Sequence, residues 1–324
     1  LTYSKGGVAL MKPKVTIGVC VRNCEDSIKE AIESILDQDF PHELMEVIFV
    51  DDGSEDRTLS FINSYVPKMD VHVKVFHHEW KGLGPSRNVV VNNASGDYIV
   101  WVDGDMMLPK DHVRKQVEFM EQNPNVGVAK ARYGNHPEEN IVGKLENIGF
   151  LAVDYKYGGK ATSRTLGTGG SIYRVEAIRQ VCGFDDHITG VGEDMDAEQR
   201  IRNAGWLLYL GTPAIFYERR RKNWKNLWNE NFWHGYGGYY IIHKNGWIFD
   251  LWKMTPPAGF IAGVWYSTIA RASHSYSTDS SHRNHKTYKY SFYRSSSKQL
   301  LSIACNFKVV SRKRNNPMEN RTRS

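Results

Sequence analysis

Cysteine is scarce. The 324 residues hold four, Cys20, Cys24, Cys182 and Cys305, and no two form a C-x-x-C pair. That spacing argues against a thiolate zinc site and against a disulfide framework, and it reads as reduced thiols of a cytoplasmic protein. No apolar run reaches the roughly 20 residues that a bilayer-spanning helix needs. The nearest, Pro256-Pro257-Ala258-Gly259-Phe260-Ile261-Ala262-Gly263-Val264-Trp265-Tyr266, is too short. Residues 1–10 lack the apolar centre of a secretory signal, and Met11-Lys12-Pro13-Lys14 reads as the true start. Glycine is missing from residues 21–26, directly after the first strand pattern, which excludes a Gly-rich phosphate loop there. An even spread of basic charge is missing too. The net charge is +6, yet residues 271–324 hold 12 Lys and Arg against 2 Asp and Glu, leaving 30 against 34 in the rest. The basic character belongs to the C-terminal tail, so no nucleic acid is expected on the folded body.

What is present centres on Tyr98-Ile99-Val100-Trp101-Val102-Asp103-Gly104-Asp105-Met106-Met107. A short apolar run rich in β-branched residues predicts a strand buried on both faces. The two carboxylates at its C-terminal end stand where open α/β sheets bind ligands. Gly104 allows a tight turn between them. Hard oxygen donors in this arrangement suit Mg²⁺ or Mn²⁺, which takes substrate phosphates as further ligands. A solvated polar turn is the competing reading, since D-x-D is a short pattern.

Strand and helix patterns alternate around this segment. Strands are predicted at 15–21, 47–50, 71–77, 98–102 and 126–130, with helices at 25–37, from Ser54 to about Tyr65, at 85–94 and at 109–123. Asn23 is the expected cap of the first helix. This predicts a doubly wound, mostly parallel mixed α/β sheet flanked by helices, with the ends of the first four strands converging on one crevice. Residues 136–160 read as irregular and polar. A Gly-rich loop at 166–170 enters a short strand, a helix spans 175–182, and a helix opens at Glu193-Asp194 and ends at Gly205. A strand follows at 206–210, and a Trp-rich helix at 224–240 is expected across the mouth of the crevice.

With these pieces placed, residues 14–240 resemble the inverting nucleotide-sugar glycosyltransferases of family 2, which have the GT-A fold. The resemblance rests on Val21-Arg22-Asn23; Val50-Asp51-Asp52-Gly53-Ser54-Glu55-Asp56-Arg57-Thr58; Gly82 with Arg87-Asn88; Gly96-Asp97-Tyr98 before Asp103-Gly104-Asp105; Gly169-Gly170-Ser171; and Gly183-Phe184-Asp185 before Gly192-Glu193-Asp194-Met195-Asp196 with Arg200. It implies transfer of one sugar from a UDP-, GDP- or dTDP-linked donor. Val21, Arg22, Asn23 and Glu25 are then neighbours of the nucleoside. Asp52 binds the base, or else caps the following helix. Gly82 and Arg87 approach the diphosphate, Arg87 alternatively leaning on Asp103. Asp103 and Gly104 touch the donor or the metal's outer shell, and Asp105 ligates the metal. Asp194 is the general base, at a helix N-terminus that favours a carboxylate. Glu193 orients the base or contacts the acceptor, and Gly169 and Gly170 let the acceptor approach the backbone.

Two departures from the family pattern stand out. Relatives often place a His after the last core strand as a metal ligand, where this chain has Phe216-Tyr217-Glu218-Arg219. Glu218 is the substitute ligand, or it pairs with the arginines that follow. Processive members carry Gln-x-x-Arg-Trp, and Asn229-Glu230-Asn231-Phe232-Trp233 keeps only the Trp, which disfavours a polymerising synthase. The absent glycine after the first strand argues against a sugar nucleotidyltransferase. A non-catalytic module binding nucleotide sugar or an anionic surface is the other alternative. The expected organisation is a disordered extension at 1–12, a GT-A domain at 13–250, a short apolar membrane-proximal segment at 251–270 and a basic, disordered tail at 271–324. That tail either holds an anionic membrane surface, at the inner face of the cell membrane, or is a frameshift relic of an apolar segment, which resequencing of the locus checks. The expected acceptor is a lipid-linked or envelope glycan.

Overall fold

The strands that carry the candidate site have no face left for water. The computed structural model describes residues 12–245 except 138, 139, 189, 190 and 220–222. The chain divides at Met254 and Thr255, and all described residues lie in the first unit. Of the extension expected at 1–12 all but Lys12 lies outside the described residues, as do the apolar segment and the basic tail. Every residue of β1 (Val15–Val21) and β2 (Met45–Asp52) is buried. With β3 (His72–His78) and β4 (Tyr98–Trp101) they form a parallel half-sheet in the order β3-β2-β1-β4.

Beyond β4 the sheet becomes mixed. β8 (Ser171–Arg174) runs antiparallel between β4 and β6 (Val126–Tyr133). β9 (Leu207–Glu218) lies parallel to β6, and both β5 (Met106–Met107) and β7 (Lys160–Thr162) pair antiparallel with β9.

The two-residue period of the strands sorts the core into two layers. Val15, Ile17, Val19 and Val21 face α1 (Ile28–Leu36), α2 (Thr58–Tyr65) and α4 (His112–Gln122), through residues such as Ile32, Ile62 and Val117. Cys20, Ile48, Ile99 and Trp101 face α3 (Leu83–Asn93), α6 (Val175–Gln180) and α7 (Glu193–Asn203), through Val90, Ile178 and Ile201. A Cβ at Gly18 would lie 2.8 Å from both Trp101 and Val90, so only glycine lets α3 and that indole close over β1. Glu46, fully buried on β2, accepts from Thr16 Oγ1 at 2.6 Å and Lys74 Nζ at 3.0 Å and anchors the Gly96 turn that starts β4.

Three expectations are corrected. Residues 136–160 are not irregular: α5 (Ile141–Tyr157) is capped by Asn140, whose Oδ1 accepts from the amides of Val142 and Gly143. Its inward face is Val142, Gly143 and Asn147, while Ile141, Leu145 and Ile148 point outward, so hydrophobicity did not mark the buried side. The strand expected at 206–210 continues to Glu218 through Gly211 and Pro213, and its pairing with β6 shifts register there, the place where a strand tolerates proline. Asn23 does not cap α1, which starts at Ile28. At φ 52° it spans the β1 and β2 loops instead, its Oδ1 accepting from Glu55 N at 2.9 Å. The Trp-rich segment forms the expected helix, α8 (Trp224–Asn245).

Candidate active site

Parallel pairing of β1, β2 and β4 delivers three polar loops to one sheet edge, and antiparallel β8 brings a fourth. Gly170 N donates to Trp101 O at 3.3 Å, so the segment 167–170 lies beside the Asp103-Gly104-Asp105 turn. A Cβ at Gly169 would stand 2.8 Å from Asp103 Oδ2. Two residues earlier, a Cβ at Gly167 would stand 3.5 Å from Asp194 Oδ2, and Thr168 N donates to that same oxygen at 3.3 Å. Asp103 and Asp194, 91 positions apart in the sequence, thus flank one short strip of backbone.

Arg87 is the cation beneath them. It is buried on α3, with its guanidinium over the rings of Trp101 at 6.0 Å and Phe184 at 5.8 Å. It forms an ion pair with Glu193 and lies 4.0 Å from Asp103. Glu193 is therefore turned inward onto Arg87 and is 1% exposed, while Asp194 faces the 167–170 strip. Burial pushes the Asp103 carboxyl above its ordinary range; Arg87 and Lys130 pull it back, and Asp194 adds to the rise.

Gly104 sits with its missing side chain toward β1: a Cβ would meet Val21 at 2.9 Å and Cys24 Sγ at 3.0 Å. Gly170 is likewise a packing glycine, at φ 68°, where a Cβ would collide with the Phe216 ring. Antiparallel pairing sets Met106 opposite Glu218, and Arg219 N donates to Asp105 O at 2.9 Å, so Glu218 stands next to the turn that carries Asp105. The Arg219 guanidinium donates to Glu30 at 2.7 Å.

Asp52 is buried at the end of β2, with its Oδ1 accepting from Lys81 N at 2.7 Å and its Oδ2 from Gly82 N at 2.9 Å. It holds the turn that opens α3 and does not cap α2. The N-cap position is Arg57, and Asp56 just before it accepts from Thr58 N at 2.9 Å. Arg22, Asn23 and Glu25 gather at the neighbouring lip. Arg22 contacts Gly53 O and Glu55 and lies over the Trp80 ring at 5.5 Å, and Glu25 accepts from Arg57 N and Nε at 3.1 Å. Burial raises the thiols of Cys20 and Cys24 to about 12, so both stay protonated.

Lys130 and Glu198 escaped the reading of the sequence. Lys130 is buried on β6, with its ammonium 3.5 Å from Gly167 O and over the rings of Tyr133 and Phe216. Burial lowers its pKa, but Tyr133, Glu198 and Glu218 more than restore it. A lone Lys in an apolar strand was the available signal. Glu198 lies one turn after Asp194 on α7 and accepts from Tyr173 Oη at 2.7 Å. Burial, with Asp194 adding to it, raises Glu198 to about 7. A carboxyl raised in the fold binds its proton more tightly folded than unfolded. Stability therefore falls as pH rises from the unfolded value toward about 7, by up to about 1.4 kcal/mol per pH unit, and then levels off. Denaturant titrations from about pH 5 to about pH 8 should show that decline in the native chain and a flatter profile in Glu198→Gln.

Among the described residues no group of three or more His, Cys, Asp or Glu side chains stands ready for a metal ion. Asp105 and Asp103 are the carboxylates that could hold Mg²⁺ or Mn²⁺, because such ions can bind through one or two carboxylates plus substrate phosphates.

Residues 16–181 match the profile of Glycosyl transferase family 2. The chain belongs to that family. It is 24% identical over 237 residues to the glycosyltransferase GlyA of Streptococcus pneumoniae, a match that spans 69% of this chain and 33% of that protein. It is 32% identical over 110 residues to the poly(ribitol-phosphate) beta-N-acetylglucosaminyltransferase TarS of Staphylococcus aureus, spanning 34% of this chain and 19% of TarS. The chain thus spans a third or less of the length of these two curated relatives. The mannosyltransferase PcManGT of Pyrobaculum calidifontis, solved with GDP-Man and Mn²⁺, superposes with a TM-score of 0.58 at 18% identity, over 90% of this chain and 81% of that one. The S. aureus TarS structure with UDP gives 0.51 at 19% identity, over 69% and 65%. At these identities the likeness is one of fold, and it agrees with the GT-A arrangement of the mixed sheet. Among the described residues of this family 2 chain, no helix is long and apolar enough to cross a membrane.

Proposed function

We propose that this chain transfers a single sugar from a nucleotide diphosphate donor to an acceptor hydroxyl, with inversion at the anomeric carbon. The observation that carries the reading is the backbone strip 167–170 with Asp103 against one glycine and Asp194 against another. A donor held by its diphosphate at Asp103 and Asp105 then presents its sugar to Asp194. The acceptor oxygen attacks the anomeric carbon from the face opposite the diphosphate. The bond to the leaving phosphate oxygen breaks with its electron pair, and the hydroxyl proton passes to the Asp194 carboxylate.

Asp105, with Asp103 in its outer shell, would hold a Mg²⁺ or Mn²⁺, which would supply Lewis-acid stabilisation of the charge growing on the leaving diphosphate. Arg87, buried and paired with Glu193, acts through Asp103 as a positioning residue. Asp52 reaches a nucleobase only through carboxylate lone pairs not taken by Lys81 and Gly82. The nucleotides named in the neighbouring structures, GDP-Man and UDP, support a UDP- or GDP-linked sugar, and a dTDP-linked one is the remaining candidate. The acceptor we favour is a lipid-linked or envelope glycan, met at the cytoplasmic membrane surface.

Thermal shift with UDP, GDP and dTDP, each with Mn²⁺, tests the donor half. One of the three should stabilise the chain by about 2.7 kcal/mol at a hundredfold excess over its Kd. Asp105→Ala should abolish that shift. Three flat responses in the unmutated chain would overturn the reading.

A further inference from the structure

Helix α5 turns an apolar side outward. Ile141, Leu145 and Ile148 are 69%, 49% and 58% exposed, Tyr155 is 95% exposed, and Ala152 is exposed as well. These five recur at spacings of 4, 3, 4 and 3 residues. At about 100° per residue they form one stripe roughly 80° wide along the helix. Single exposed apolar residues are ordinary, but a continuous stripe marks a surface made to meet something.

The charges are sorted around that stripe. Lys144 and Lys156, both exposed, fall about 20° beyond its two edges. The two carboxylates of the helix, Glu146 and Asp154, fall about 140° from its centre. Asp154 is occupied there, its Oδ2 accepting from Tyr133 N at 2.8 Å. Just past the helix, Lys160 and Arg164 gather with Lys156 over the Tyr157 ring, at 6.0, 4.6 and 5.0 Å. An apolar stripe edged by lysines suits a bilayer surface: the stems lie along the acyl boundary while the ammonium groups reach the headgroups. A tyrosine is at home at the same depth. A second copy of the chain suits it less. Two-fold pairing sets a patch against itself, so the edge lysines of one copy would face those of the other. A stripe about 25 Å long and one helix wide is also well short of the roughly 800 Å² that a stable partner buries.

The inner face of α5 leads toward the candidate active site. Phe150 packs on Tyr133 with ring centroids 4.7 Å apart, and Tyr133 packs on Phe216 at 4.6 Å. Lys130 lies over both of the latter rings and 3.5 Å from Gly167 O. From this we infer that the outer face of α5 docks on an anionic lipid bilayer, with the stripe at the acyl boundary and the flanking cations among the headgroups. The inference rests on the reading above of an acceptor met at a membrane, and it names the surface that would bring the crevice there.

The test is flotation of the full chain with vesicles of mixed phosphatidylglycerol and phosphatidylcholine, and with phosphatidylcholine alone. The chain should bind the mixed vesicles and bind the neutral ones much more weakly. Ile148→Glu should lose about tenfold or more, because it removes an inserted apolar side chain and adds a charge. Lys144→Ala should lose about fivefold. Trp228→Ala, an exposed aromatic on α8, should bind as the unmutated chain does. Melting temperatures and nucleoside diphosphate shifts with Mn²⁺ should be the same in all three variants as in the unmutated chain, which shows that they are folded. No binding to the mixed vesicles, binding indifferent to Ile148 and Lys144, or binding lost only in Trp228→Ala would overturn the inference. So would a dimer in lipid-free solution that Ile148→Glu breaks, because the stripe would then belong to a second copy. The two readings fail separately: absent nucleotide shifts in the unmutated chain sink the transferase reading, whereas the vesicle arms alone decide α5.

Discussion

Asp194→Asn is expected to lower kcat by a factor of about 10² to 10⁴ while leaving donor affinity in place, the usual span for loss of a general base. The geometry explains the split. Asp194 Oδ2 is oriented by Thr168 N at 3.3 Å and Oδ1 accepts from its own helix at Met195 N, 2.7 Å away, so two backbone amides hold the carboxylate. An amide in its place keeps the shape but cannot take the proton. In the proposed arrangement the diphosphate lies at the Asp103–Asp105 turn, and Asp194 is not among its ligands. Single-turnover transfer together with donor thermal shift checks both halves. Retained turnover would give the base to another group, and a lost donor shift would make Asp194 a binding residue.

Arg87→Met is expected to destabilise the fold by about 3–5 kcal/mol, the cost of removing one partner of a buried ion pair. Its partner Glu193 is 1% exposed, and Asp103 stands 4.0 Å away. Without the guanidinium both carboxyls lose their compensating charge. Asp103, already raised by burial, would rise further, because Arg87 is the largest influence lowering it. The unfolding midpoint should fall by roughly 10 °C for a domain of this size. The double variant Arg87→Met with Glu193→Gln should recover a large part of the loss, since the most deeply buried carboxylate, Glu193, is then no longer left charged without its partner. If the single and double variants melt together, the pair is not what stabilises this layer.

Much of the fold was legible because its signals are local. The unbroken apolar runs of β1, β2 and β4 mark strands buried on both faces, and the polar Asp103-Gly104-Asp105 segment beyond β4 marks where that strand ends. The α5 segment was illegible for a physical reason: its buried face carries Val142, Gly143 and Asn147, so apolar periodicity pointed the wrong way. The extension of β9 was hidden behind Gly211 and Pro213, which break most strands but here coincide with a register shift.

The site residues divide along the same line. The sequence by itself placed Asp103 and Asp105 after a buried strand and Asp194 at a helix start, and the family resemblance singled them out as candidates. Only the tertiary structure decided which way the neighbouring groups face. Glu193 turns in to Arg87 and not out to an acceptor, Gly104 and Gly170 are demanded by packing, and Lys130 reaches Gly167 from a strand far along the chain. Side-chain direction and the pairing of buried charges depend on contacts between residues distant in sequence, and no local pattern records them.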